Sequence, residues 1–145
     1  MEQARLTLVR VLPQTALEGW GLLSDMLKPA VEYTEGEYAL DDILRAVLQG
    51  RYQLWGAIAG VELRGVMVTQ LSVANGVTWC EALFLGGRDF VELKSLLPQI
   101  EDWALLNGCS KIKAFVRPGL EVKLRTLGFK EKHRVVVKDL RGRLQ

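Results

Sequence analysis

The dipeptide Asn75-Gly76 constrains this chain more than any other pair of residues. It separates two apolar runs, Leu63 to Val73 and Val77 to Leu85. A two-residue connection of type I′ needs positive φ at both central residues, which Asn and Gly tolerate and most residues do not. The two runs are therefore expected to be antiparallel neighbours. A third run, Tyr52 to Ala59, precedes them across Gly60-Val61, so the middle of the chain reads as a three-strand meander.

The flanks have a different period. Arg5 to Val11 is read as a strand that Pro13 ends. Thr15 is a candidate N-cap with Glu18 three residues on, and Trp20, Leu23, Met26 and Leu27 recur at helical spacing up to Pro29, which is expected to stop or kink the helix. Val31 to Tyr38 is polar and reads as an exposed loop. A second helix follows, with Asp41 and Asp42 in its first turn, Ile43, Leu44, Val47 and Leu48 as its apolar face, and Gly50 as its stop.

After the meander, Gly86-Gly87 is expected to break the third strand, and a helix follows at once. Asp89 and Glu92 have capping-box spacing. Leu93, Leu96, Leu97, Ile100, Trp103, Ala104 and Leu106 form the buried stripe, Pro98 is a candidate kink, and Asn107-Gly108 closes the helix. Lys111 to Val116 reads as a short strand. Residues 119–127 read as a short helix ended by Gly128, with Leu120, Val122, Leu124 and Leu127 apolar. Phe129 to Leu140 reads as a last strand before a polar tail, Arg141 to Gln145. The expected architecture is α/β (α+β), a mixed and largely antiparallel sheet with helices on both faces. No linker or repeat interrupts it, so residues 1–145 are expected to form a single domain.

Composition narrows the class. The chain has 145 residues and a net charge of +2, smaller than a nucleic-acid binder usually shows; the exception is the C-terminal stretch, with Lys130, Lys132, Arg134, Lys138, Arg141 and Arg143 against Glu131 and Asp139. Lys130, Lys132 and Arg134 share one face of the last expected strand. That face fits an edge strand protected by lysines, or a contact to nucleic acid or an acidic partner. No run reaches the length of a membrane span, and the opening residues do not read as a signal peptide. Cys80 and Cys109 have no metal-binding or disulfide spacing and read as free thiols of a reducing compartment. Cytoplasmic residence is the expectation.

Four segments carry a family resemblance: Ile100-Glu101-Asp102-Trp103-Ala104, Asn107-Gly108-Cys109, Arg117-Pro118-Gly119 and Leu127-Gly128-Phe129. In the order β-α-α-β-β-β-α-β-α-β, from Arg5 to Leu140, they make the chain resemble the GCN5-related N-acetyltransferase (GNAT) superfamily. That superfamily transfers acyl groups from acyl-coenzyme A to amines. The set is also similar to small GNAT-like proteins of tailed phages.

The resemblance implies a site. Acetyl-CoA would enter between the strands at Val77–Leu85 and Lys111–Val116, with Leu83, Leu85, Gly86, Gly87, Arg88, Asp89 and Phe90 binding it. The pyrophosphate would rest on the Gly86–Phe90 amides, where free N–H groups and a helix dipole attract anions. The family pattern there is Gln/Arg-x-x-Gly-x-Gly/Ala. Here the junction reads Leu85-Gly86-Gly87-Arg88-Asp89-Phe90, with glycines and an arginine but different spacing. Asp89 as a cap would occupy one amide and repel a pyrophosphate.

Glu81 corresponds to the family's general base, and partial burial is expected to raise its pKa toward a useful range. Alternatively it faces solvent or pairs with a neighbour. The tyrosine that often protonates the leaving thiolate is replaced by Leu124, which has no proton to give. Two functions stay open: an N-acyltransferase for an unknown amine, or a non-catalytic GNAT-fold protein with a structural or binding role. The latter would have a phage particle as its partner and a virion as its location; with either function, an exposed edge strand is compatible with a homodimer.

Other chemistries lack parts. His133 is the sole histidine, no nucleophile elbow accompanies it, and no His/Cys ligand set offers a metal site.

Overall fold

A computed structural model describes residues 5–87, 93–116 and 118–144. The chain divides into two compact units, residues 1–115 and 116–145.

The first unit is built on the central hairpin. Asn75 and Gly76 both take positive φ, 53° and 77°, and join β3 (Glu62–Ala74) to β4 (Val77–Gly87). With β1 (Thr7–Val11), β2 (Gln53–Ala59) and β5 (Lys111–Ala114) they form a five-stranded sheet in the order β1-β2-β3-β4-β5. Every pairing is antiparallel except β4 with β5, which is parallel. The mixed, largely antiparallel architecture is as expected.

Helices cover both faces. On one side, α1 (Pro13–Glu18), α2 (Trp20–Glu32) and α3 (Leu40–Leu48) pack Ala16, Leu23, Leu27, Val31, Ile43 and Val47 against Leu54, Val66, Val68 and Phe84 of the sheet. On the other, α4 (Leu93–Leu106) sets Ile100 and Ala104 against Trp55, Met67 and Cys80. The period-2 alternation of strand side chains divides Val66 and Val68 from Met67 in this way. Trp55 and Trp103 meet edge to face, and Arg10 lies 5.4 Å from the centroid of the Trp55 ring. The indole N–H of Trp55 donates to the Thr69 hydroxyl, which donates to the Gln53 side-chain oxygen, so this buried polar chain is satisfied.

Several boundaries differ from expectation, each for a local reason. Pro13, not Thr15, opens α1: it occupies the first turn, where its missing N–H costs no hydrogen bond, and Leu12 is the cap residue without a side-chain cap. Gly19 separates α1 from α2. Pro29 does not end α2, which continues to Glu32 and shortens the expected loop. Leu48 and Leu106 are exposed rather than buried. Gly86-Gly87 does not break β4, which runs through both glycines.

In the second unit, α5 (Pro118–Arg125) ends at Gly128. The Gly128 N–H donates to the Arg125 carbonyl and the Phe129 N–H to the Leu124 carbonyl, the two bonds of a Schellman stop. Val122 is exposed and Leu124 buried. Residues 129–140 form no strand: they have no ladder, residues 130–140 are exposed, and a 3-10 turn, Arg141–Leu144, follows. Val135, Val136 and Val137 are β-formers, yet β-propensity is realised through pairing and packing, and here neither is present. Lys130, Lys132 and Arg134 therefore do not share a strand face. Arg134 instead pairs with Glu131, which also meets Arg125.

Candidate functional site

The β4–β5 ladder is short. It runs from Trp79–Lys111 to Ala82–Ala114, and the Phe115 N–H adds one bond to the Ala82 carbonyl. β4 continues through Leu83–Gly87, five residues beyond its last pairing with β5, which ends at Ala114. At the same place β4 carries a bulge. Ala82 pairs with Thr69 and Phe84 with Val68, which leaves Leu83 as the extra residue. Leu83 and Phe84 consequently both pack toward α1–α3, while Leu85 faces α4.

Glu81 sits one residue before the last β4–β5 pair. The hairpin register sets it opposite Gln70 on β3, and the parallel ladder sets it opposite Lys113 on β5. Its carboxylate is nearly buried, with the side chain 11% exposed. One oxygen accepts from the Ser72 hydroxyl at 2.6 Å and lies 3.7 Å from the Lys113 ammonium; the other accepts from the Gln70 amide at 2.9 Å. Burial alone pushes the carboxyl up. The donors from Ser72 and Gln70 and the charge of Lys113 outweigh it, and the Glu81 pKa is lowered. The expected upward shift is therefore not found, and of the readings open from the sequence the pairing with neighbours is the one observed.

Two aromatic residues bear on this site through their own neighbours. The Lys113 and Lys111 ammonium groups lie 4.6 and 5.1 Å from the Trp79 ring centroid. Tyr38, from the segment after α2, packs edge-on to Phe84 with centroids 5.1 Å apart. Its phenol pKa is raised by burial first, then by the charges of Glu37, Tyr52 and Glu81. Ser72, Gln70, Lys113, Trp79 and Tyr38 were not singled out from the sequence. Two of them were within reach: a two-residue turn at Asn75-Gly76 pairs 74 with 77, and counting outward pairs Gln70 with Glu81 and Ser72 with Trp79.

The glycine pair has its own explanation. A Cβ on Gly86 would lie 2.0 Å from the Met26 carbonyl oxygen. Gly87, at φ 135°, would place one 2.4 Å from the Arg64 carbonyl oxygen. Both glycines let the protein's own backbone approach, from α2 on one side and β3 on the other. Of the remaining residues expected to bind the cofactor, Arg88, Asp89 and Phe90 lie outside the described residues, as does Glu92.

No protein-family model and no curated protein sequence matches the chain. Solved structures do. An aminoglycoside N-acetyltransferase, AAC(6′)-Iy, in complex with CoA superposes with a TM-score of 0.66 at 18% identity, covering 97% of each chain. A probable acetyltransferase gives 0.68 at 14% identity, covering 92% of this chain and 99% of that one. A ribosomal-protein-alanine N-acetyltransferase from Brucella melitensis biovar Abortus 2308 gives 0.66 at 15%, covering 92% and 98%. The chain has the GNAT fold.

Proposed function

We propose that the protein is an acyl-CoA-dependent N-acyltransferase, with acetyl-CoA as donor and an amine of unassigned identity as acceptor. The observation that carries this reading is a nearly buried carboxylate on β4 beside the end of the β5 ladder, past which β4 runs on alone of the two. Beyond Ala82 β4 continues past the β5 ladder, and a strand edge there would offer backbone groups to a ligand carrying amides. Such an edge fits the pantetheine arm of CoA, with Leu83 and Leu85 on the strand beside it. The likeness to a structure solved with CoA supports the same assignment.

When bound, acetyl-CoA supplies a thioester whose acyl carbon takes the lone pair of the amine nitrogen as the C–S bond breaks. The protein's part is to position the amine and receive its proton. Glu81, ionised by its three partners, accepts a hydrogen bond from the ammonium or from a water that carries the proton away. Leu124 supplies no acid, so the proton for the departing sulfur comes from solvent. The pyrophosphate is assigned to the junction after β4, with the Gly86–Phe90 amides and Arg88 as its candidate ligands on the family resemblance alone.

One observation favours the second reading, a non-catalytic GNAT-fold protein of structural or binding role. Gly86 and Gly87 are both accounted for by packing against Met26 and Arg64, without a cofactor. A phage-particle partner and virion location belong to that reading and cytoplasmic residence to the first, while a homodimer is compatible with both. Among the described residues no helix is long and apolar enough to cross a membrane.

Calorimetric titration with acetyl-CoA, followed by an acetylation assay against a panel of amines, separates the two. Micromolar binding and transfer that falls in Glu81→Gln with binding retained support the enzyme. No binding at millimolar acetyl-CoA ends that reading.

A further inference from the structure

We infer that Ser72 and Gln70 are positioning residues for Glu81, clamping its carboxylate in one orientation on β4 beside the end of β5. This inference rests on the acyltransferase reading for its catalytic consequence, though the clamp itself is a property of the fold.

The geometry is specific. Ser72 and Gln70 are two apart on β3 and so project from the same face as Glu81. Each takes a different carboxylate oxygen, at 2.6 and 2.9 Å. Two donors on separate oxygens fix the rotation of the carboxylate plane, which a single bond leaves free. Both donors are neutral and both favour the charged form, as hydrogen bonds to an anion do.

The other groups around Glu81 act differently. Lys113 of β5 contributes charge at 3.7 Å and is itself drawn to the Trp79 ring, as is Lys111. Tyr38 and Tyr52 pack on the side of α1–α3, where burial and then the charges of Glu37, Tyr52 and Glu81 raise the Tyr38 phenol pKa. Lys113 is a long side chain, 38% exposed, which screens its effect on Glu81. Ser72 is short and on the adjoining strand, so its bond is the rigid one. A carboxylate held this way is charged whenever an amine acceptor arrives, and aims its free lone pair in a constant direction.

The test is to follow Glu81 by carboxyl carbon NMR in the full chain while pH is varied. The wild type is expected to titrate below the ordinary glutamate range. In Ser72→Ala and in Gln70→Leu the midpoint moves up, and Ser72→Thr, which keeps the hydroxyl, restores it. An unmoved midpoint in both deletions overturns the inference. In the acetylation assay the acid limb of kcat/KM moves to higher pH in Ser72→Ala, with activity at the foot of the limb down roughly tenfold and KM for acetyl-CoA unchanged. A loss equal at every pH indicates a merely structural role for Ser72 and overturns the inference as well. An inactive wild type whose Glu81 titration still depends on Ser72 removes the acyltransferase reading and leaves the clamp standing.

Discussion

The backbone of Gly86 lies directly against the carbonyl of Met26: a Cβ at position 86 would sit 2.0 Å from that oxygen and 3.2 Å from the Cα of Leu27. Neither obstacle is the end of a flexible side chain, so α2 as a whole would have to retreat. Leu27 is fully buried in the same core. Gly86→Ala is expected to lower stability by about 3 kcal/mol, the upper part of the usual overpacking range, measured by urea denaturation. Gly87→Ala combines a clash with Arg64 and an unfavourable φ, and is expected to be destabilising too. Loss of acetyl-CoA binding in either variant therefore speaks for a cofactor site only when the variant is shown to be folded.

Gln99 on α4 acts as a short extra strand beside β1. Its side-chain oxygen accepts from the Leu8 N–H at 2.8 Å and its amide donates to the Leu6 carbonyl at 3.1 Å. β1 is an outer strand of the sheet, and these bonds close part of an edge that would otherwise be open to pairing. Gln99→Leu keeps a comparable volume but removes both bonds, at an expected cost of about 2 kcal/mol. The specific sign is faster hydrogen exchange at the Leu8 amide with the amides of β3 unchanged.

Cys80 is a core residue. Its thiol pKa is pushed up to about 12, by burial first and then by Cys109 and Glu81. Only the thiolate reacts readily with disulfide reagents. At pH 8 its reaction with such a reagent is expected to be slow in the folded protein and prompt after unfolding in denaturant. Rapid labelling of Cys80 under native conditions would contradict the packing of β4 against α4.

What could be read from the residues was mostly local. Asn75-Gly76 specified the hairpin and, through its length, the facing of Gln70 with Glu81. Gly50, Gly108 and Gly128 each mark a helix end with positive φ. What could not be read depends on contacts between distant parts. Nothing near Gly86 in sequence indicates that Met26 lies against it. Lys113 reaches Glu81 only because β5 returns parallel to β4 after the crossover through α4, a register no turn specifies. Phe129 to Leu140 misled in the opposite way: the alternation suits a strand, but a strand also needs a neighbour. Pro13 was read as a stop to β1 and is equally a start to α1, since the first helical position is where proline costs least.

Glu81 also makes stability depend on pH. Its carboxyl is lowered from the ordinary value of 4.5 in the folded protein by Ser72, Gln70 and Lys113. A carboxyl depressed on folding contributes stability that is full above its unfolded pKa and is lost as pH falls through the folded one. The wild type is therefore expected to lose stability on acidification below about pH 4.5, in part through this one group. Glu81→Gln has no proton to take up, so its stability should fall less steeply over that window. At neutral pH the same variant is less stable than the wild type, because Lys113 loses its carboxylate partner and the amide that replaces it accepts through one oxygen instead of two. The two curves should converge as pH falls, in thermal denaturation at a series of pH values. Parallel curves would mean that the carboxylate titrates alike in the folded and unfolded chain, and that its three partners do not hold it in solution.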